Sequence, residues 1–437
     1  MRNKHLLSLI LCLLLATGLW AQPALTPDIP TVKGYQVKVK NINSFYEKIA
    51  DANDPGPGKL YLIGWCGTDS YILDSAVVRK GKALFKNKAE VPCGVYEIYD
   101  DKMMIGFEYI ILNHDNKFTF DLSDFHFEGS EENQQMQQFR LKANNVPVED
   151  LCREMRETMP QSFLSKYVTA AYGANAKAIA DPSVHDLLTR HISVTDLQEP
   201  RLLFSHVPVF RMIEDEITEA VFPNSDSVIR HIRYLLDRPM CQPIRNYIIR
   251  TLFSQLDVHN PDYDPALVYL YDHYDRSWID EGDARRYKRK IDNLRKIIPG
   301  AQIPELISHD IDGKAHSTLD IKTHYTVLWF WDPDCDHCQE MTPPLHQLYQ
   351  EHGKDYDFEV FAVEVNDDYE RWKAFSDKHQ LWDWTNLSTS RGEANLDFIE
   401  YFDIMTTPVM FLIDNNQNHT IIARQITLDE LRSFFKK

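Results

Sequence analysis

The chain has 437 residues, a formal charge of −18, 43% hydrophobic residues and 12% aromatics. At about 100–200 residues per domain this composition allows roughly two to four packed domains and excludes a disordered chain. An acidic surface repels phosphate backbones, so no nucleic-acid partner is expected.

The first residues point to export. Arg2, Lys4 and His5 form a basic start, residues 6–15 are nearly unbroken apolar sequence, and small residues follow at Ala16, Gly18 and Ala21. This is the pattern of a cleaved secretory signal. A membrane span needs about 20 apolar residues, and this run breaks at Gln22-Pro23. Residues 1–21 are therefore expected to be removed, with no membrane span left, and the mature protein to work in the periplasm or cell envelope. Cys12 lies inside the apolar run without small residues before it, so it is not expected to carry a lipid.

Residues 22–145 read as a β-sandwich-like domain of antiparallel strands. Residues 35–39 alternate apolar and polar, 60–64 form a short apolar run, and 72–78 and 83–85 flank the turn Lys80-Gly81-Lys82. Residues 95–99, 109–112 and 118–122 continue the series, the last after the turn Asn113-His114-Asp115-Asn116. Residues 146–299 change to spacings of three and four. Val228, Ile232, Leu235 and Leu236 make one stripe, and Tyr247, Ile248, Leu252 and Leu256 another, so an all-helical domain is expected. Ser225 and Asp226 are candidate N-caps.

Residues 300–437 alternate strand and helix, as in an α/β domain. A small hairpin is expected around the Asp312-Gly313 turn. Tyr325–Trp331 is a continuous apolar run, which suits a strand buried on both faces. Helix is expected over 334–349, strand over 358–365, helix over Tyr369–His379 and 396–402, and strands over 409–413 and 420–423. Thr427-Leu428-Asp429-Glu430 has the form of a capping box that opens a terminal helix.

Outside the apolar start the cysteines are Cys66, Cys93, Cys152, Cys241, Cys335 and Cys338. Export permits disulfides. Cys66 with Cys93 and Cys152 with Cys241 are the within-domain pairings, and the alternative is that all four are small buried hydrophobes. No second Cys/His pair accompanies the last two, so neither a zinc site nor any cofactor is expected. Cys335 and Cys338 stand three apart where a helix follows a strand. A structural disulfide is one reading of such a pair. The strand-CxxC-helix context points to the other, a redox dithiol. Unpaired N–H groups and the helix dipole at the N-terminus stabilise a thiolate at the first sulfur, and the second is placed to resolve a mixed disulfide. His337 could add to that stabilisation, whereas Asp332, Asp334 and Asp336 oppose it.

The segment Trp329-Phe330-Trp331-Asp332-Pro333-Asp334-Cys335-Asp336-His337-Cys338 resembles the thioredoxin active site. Pro343 stands where thioredoxins carry the proline of the active-site helix, and Thr407-Pro408 before 409–414 looks like the family's cis-proline strand. The extra elements around 367–402 resemble the insertion of TlpA/ResA-type disulfide reductases. The resemblance implies a thioredoxin fold in which Cys335 attacks, Cys338 resolves, and Pro408, with Thr407 and Trp331, shapes the groove for the partner's cysteine segment. It places His337 beside the nucleophile. The sequence departs from the family at two acids: Trp329 replaces the buried acid of thioredoxin, and Met341 replaces the glutamate of the TlpA/ResA group, with Glu340 one residue earlier. Segments 74–78, 81–85, 196–203 and 226–236, and Trp278, resemble the β-rich and uncharacterised helical domains that precede such modules in exported bacterial proteins.

The function this implies is an exported thiol–disulfide oxidoreductase. Its partners would be disulfide-containing or dithiol envelope proteins and an upstream electron donor. The alternative is an envelope protein-binding module whose dithiol is minor or vestigial. A peroxidase is set aside, because Asp332 and Leu328 occupy the positions where peroxide-reducing relatives need Thr and Pro.

Overall fold

The structure is a computed structural model. It describes residues 27–49, 57–100, 105–174, 183–219, 222–259, 263–276 and 281–436. The expected signal at 1–21, Cys12 and Trp278 lie outside these residues. Among the described residues no helix is long and apolar enough to cross a membrane. The chain divides into two compact units, one of Met1–Val221 with Arg233–Gln255, the other of Phe222–Ile232 with Leu256–Lys437.

The first unit opens with β1 (Thr31–Lys40), α1 (Ile42–Ile49), β2 (Lys59–Cys66), β3 (Asp69–Val77), β4 (Ala83–Pro92), β5 (Gly94–Asp100), β6 (Ile105–Leu112), β7 (Lys117–Asp121) and β8 (His126–Glu128). The strands form two sheets, ordered β4-β1-β7-β8 and β3-β2-β5-β6. Period-two alternation aims Tyr35, Val37 and Val39 into a core shared with Leu60, Leu62, Phe85, Ile98 and Phe120. The turn after β3 forms as its residues require: Lys80 and Gly81 take φ of 50° and 68°, and the Arg79 and Lys82 backbones exchange hydrogen bonds.

The expected antiparallel sandwich is correct for one sheet only. In the other, β1 runs parallel to β7, from Gln36 opposite Lys117 to Lys40 opposite Asp121, so that sheet is mixed. Parallel neighbours need a long crossover rather than a tight turn, and here β2 to β6 intervene between them in sequence.

Helices follow: α2 (Glu131–Ala143), α3 (Val148–Thr158), α4 (Phe163–Tyr172), α5 (Val184–Val194), α6 (Pro208–Glu219), α7 (Ser225–Leu236) and α8 (Gln242–His259). The N-cap of α7 is Asn224, whose Oδ1 accepts from the Ser227 N–H, one residue before the expected Ser225 and Asp226. Cys66, Cys93, Cys152 and Cys241 are all free thiols, so neither candidate bridge is formed, and Cys93 and Cys152 are buried.

In the second unit α9 (Asp264–His273) and α10 (Glu281–Ile297) precede the α/β elements. Ile291, Leu294 and Ile297 bury one face of α10. Arg285, Arg286, Lys288 and Arg289 are exposed, a local exception to the acidic balance of the chain. Next come β9 (Ile307–His309), β10 (Ala315–Ser317), β11 (Tyr325–Trp331), α11 (Asp336–His352), β12 (Phe358–Glu364), α12 (Tyr369–His379), β13 (Thr385–Ser388), α13 (Phe398–Tyr401), β14 (Val409–Asp414), β15 (Thr420–Arg424) and α14 (Leu428–Phe435). One seven-stranded sheet, ordered β10-β9-β13-β12-β11-β14-β15, carries them. The apolar run of β11 is an interior strand, parallel to β12 and antiparallel to β14. The capping box at Thr427 and Glu430 forms. A buried ion pair between Arg424 and Asp264 ties β15 to α9, with Asp403 3.5 Å from the same guanidinium.

Candidate active site

The strand β11 ends at Trp331, and the next three residues lead to Cys335, which takes the N-cap position of α11 with φ −81° and ψ 120°. This backbone geometry leaves the first N–H groups of the helix free to face the Cys335 sulfur. Burial pushes the Cys335 thiol up, but the backbone N–H groups of Cys338 and His337, the Cys338 thiol and the Thr407 side chain together outweigh it, and its pKa falls below the ordinary 9.0. Cys338, one helical turn on, is fully buried in the core of the domain. Burial drives its pKa up to about 12, against a hydrogen bond from the Asp332 N–H, 3.4 Å from Sγ. The two sulfurs thus differ as a nucleophile and a held-back second thiol must.

The Thr407–Pro408 peptide is cis. It lies at the start of β14, which is paired with β11, and this neighbourhood brings the Thr407 carbonyl within 3.2 Å of Cys335 Sγ. The thiol donates to that oxygen in the neutral state. Cys335, Cys338, Thr407 and Pro408 therefore meet at one end of the sheet.

Two expected residues play different parts. His337 is 80% exposed, with Nδ1 4.0 Å from Glu340. What it gives Cys335 is its backbone N–H. Trp331 does not line a groove. Its side chain is fully buried, and its ring stands 5.3 Å from that of Phe375. It supports the site from beneath, because every residue of a strand packed on both faces points into a core.

The acids also fall differently from the family pattern. Trp329 is buried, with Nε1 3.3 Å from Thr342 Oγ1, and Glu340 is 79% exposed, so neither position offers Cys338 a buried carboxylate. The neighbouring strand offers one instead. Glu364 ends β12 directly opposite Trp331 and is fully buried. One of its oxygens accepts from the Asn366 N–H at 2.5 Å and the other from the Ser388 hydroxyl at 2.7 Å. The Asn366 side chain reaches Asp332 Oδ2 at 2.6 Å, and the Asp334 N–H reaches Oδ1 at 2.8 Å. Burial raises the pKa of both Glu364 and Asp332. A hydrogen-bonded chain thus runs from Glu364 through Asn366 to Asp332, whose own N–H touches Cys338. The signal in the sequence is a carboxylate that follows the apolar run Val-Phe-Ala-Val after Glu359 and closes the strand Phe-Glu-Val-Phe-Ala-Val-Glu.

Inside α11 stand Pro343 and Pro344. Neither has an N–H, so the carbonyls of Gln339 and Glu340 lose their helical partners.

This fold defines a domain of the thioredoxin-like class. Residues 323–419 match the thioredoxin-like family model. The C-terminal domain of the chain belongs to that family and is homologous to thiol-disulfide oxidoreductases. Over 140 residues the chain is 25% identical to the thiol-disulfide oxidoreductase ResA of Bacillus thuringiensis, spanning 32% of this chain and 77% of that protein. It is 30% identical to the crystal structure of a domain of a possible thiol-disulfide isomerase from Cytophaga hutchinsonii, covering 32% of this chain and 92% of that one, with a TM-score of 0.30. A thioredoxin-like protein from Bacteroides caccae is similar over 67% of this chain and 95% of its own, at 13% identity and a TM-score of 0.40.

Proposed function

We propose that the chain is an exported thiol–disulfide oxidoreductase that exchanges disulfides with envelope proteins through Cys335 and Cys338. The observation that carries this reading is the unequal pair of thiols at one helix start: Cys335 partly exposed and lowered in pKa, Cys338 buried and raised. The Cys335 thiolate attacks one sulfur of the partner's disulfide, forms a mixed disulfide and releases the other partner sulfur as a thiolate. Cys338 then loses its proton and attacks Cys335, leaving the Cys335–Cys338 disulfide and a second partner thiolate. Two electrons pass from the dithiol to the partner, and the reverse sequence oxidises a partner dithiol. Pro408 and Thr407 form the wall against which the partner's segment lies.

Insulin reduction by the full chain, with Cys338→Ala as control, tests this. Turnover that disappears in the variant supports exchange, and no turnover in either favours a binding module. The potential of the couple then gives the direction: near about −270 mV the protein reduces its partners, and near about −120 mV it oxidises them.

A further inference from the structure

The surface around Cys335 is unevenly charged and carries one unusual apolar residue. Between 332 and 340 stand Asp332, Asp334, Asp336 and Glu340, without a lysine or arginine. Asp336 and Glu340 are exposed. Across the site, on the loop from β12 to α12, Asp367 is exposed and Asp368 half-buried. Of the cations nearby, Arg371 is already engaged, paired with Asp334 and 3.4 Å from Asp368, and Arg391 lies over the Tyr369 ring at 5.2 Å. The rim is therefore left with excess negative charge. The acidic mean of the chain does not require this, because the same unit exposes cations elsewhere, on α10 and at Lys314, Lys322, Lys354 and Lys378.

Met405 is 84% exposed, the highest value among the exposed large hydrophobic side chains described, and it lies two residues before Thr407. Phe402 and Ile404 before it and Val409 after it are buried, at 0%, 6% and 4%. The loop is thus anchored on both sides of a thioether that faces water. An unbranched, polarisable side chain of this kind adapts to varied apolar surfaces.

We infer that the site takes polypeptide partners whose reactive cysteine lies in a basic segment with an apolar residue beside it: Met405 receives the apolar side chain, and the acidic rim receives the lysines or arginines. The inference rests on the exchange reading above and adds the partner's chemistry. Charge complementarity raises the rate of encounter and selects against acidic segments.

The test uses reduced full-length protein and disulfide-linked peptide dimers. Each peptide has one cysteine, flanked by two Lys, two Glu or two Ser, with Leu or Ser next to the cysteine. Release of peptide thiol is measured and divided by the rate of each dimer with dithiothreitol, which removes differences in intrinsic reactivity. The Lys dimers are expected to react about tenfold faster than the Glu dimers at low ionic strength, a gap that closes as salt is added. Met405→Ser should remove the preference for Leu and keep the preference for Lys. Glu340→Gln with Asp367→Asn should shrink the Lys/Glu ratio. Glu351→Gln with Asp355→Asn, an equal charge change near the far end of α11, should not. Equal, salt-independent rates for all dimers, or a Leu preference that survives Met405→Ser, would overturn the inference and leave exchange standing. No reaction with any dimer, from protein whose Cys335 still alkylates, would remove the exchange reading itself.

Discussion

Cys335 Sγ and the carbonyl oxygen of Thr407 stand 3.2 Å apart although 72 residues separate them in the chain. The pairing of β11 with β14 sets this distance, since one strand leads to the thiol and the other follows the carbonyl. A thiol can donate to that oxygen and a thiolate cannot. The contact therefore exists in one protonation state and is given up when Cys335 reacts.

Removing the resolving thiol should trap partners. With Cys338→Ala, Cys335 is expected to accumulate mixed disulfides in envelope extracts, visible on non-reducing gels and lost with Cys335→Ser. Absence of any Cys335-linked species after rapid acid quenching would count against exchange.

The two thiols should titrate apart. Alkylation of Cys335 should rise with pH through a pKa below 9.0 and then level off. In Cys335→Ser, Cys338 should stay unreactive well above pH 9, because burial still holds its proton. The effects on stability have opposite signs. The raised pKa of Cys338 gives a contribution that is fully present below the ordinary 9.0 and is lost as pH rises towards about 12. The lowered pKa of Cys335 gives one that is present above 9.0 and is lost as pH falls through the folded value. Compared with Cys338→Ala, the unaltered protein should therefore lose stability between pH 9 and 12, measured by denaturant midpoints. Parallel curves over that window would show that burial does not hold Cys338 protonated.

Asp332 should speed the resolving step. Asp332→Asn keeps the backbone N–H that meets Cys338 Sγ and removes the carboxylate held by Asn366. Decay of a preformed Cys335 mixed disulfide, followed by stopped flow, should slow by about tenfold or more if that carboxylate takes the Cys338 proton. Its dependence on pH should lose the inflection caused by the carboxylate. A rate and profile unchanged from the parent protein would assign the Glu364–Asn366–Asp332 chain to structure alone.

Breaking the buried pair between Arg424 and Asp264 should be costly. Their side chains are 5% and 11% exposed. Arg424→Gln leaves Asp264 without its guanidinium and is expected to destabilise the second unit by about 3–5 kcal/mol. The double change Arg424→Met with Asp264→Leu should recover part of that loss, because it also removes the buried carboxylate that lost its guanidinium. Equal loss in the single and double variants, read from denaturant midpoints, would locate the effect in packing.

Local order carried the reading a long way. Tyr325–Trp331 and Tyr369–His379 begin and end as their patterns require, and a CxxC between strand and helix places both sulfurs. Pairing between distant strands is what the pattern cannot show. Nothing in the alternation of β1 tells it to lie parallel to β7. Nothing in β12 tells Glu364 that it will face Trp331 across the sheet and so sit under the dithiol. The same limit misplaced Trp331: in an unbroken apolar run no period marks one side as a groove. His337 shows a further limit, since its chemistry at the site comes from a main-chain group that every residue but proline has.

Pro343 and Pro344 break the spine of α11 just past the turn that holds both sulfurs. The stretch before them is fastened to the rest of the helix by fewer hydrogen bonds than a continuous rod would have. Closing and reopening a sulfur–sulfur bond draws the ends of that short stretch together and lets them go. The compliance this demands is supplied locally, at the cut, so the distal barrel of the helix, with Leu345 and Leu348 locked in the core, can stay still through every cycle of oxidation and reduction.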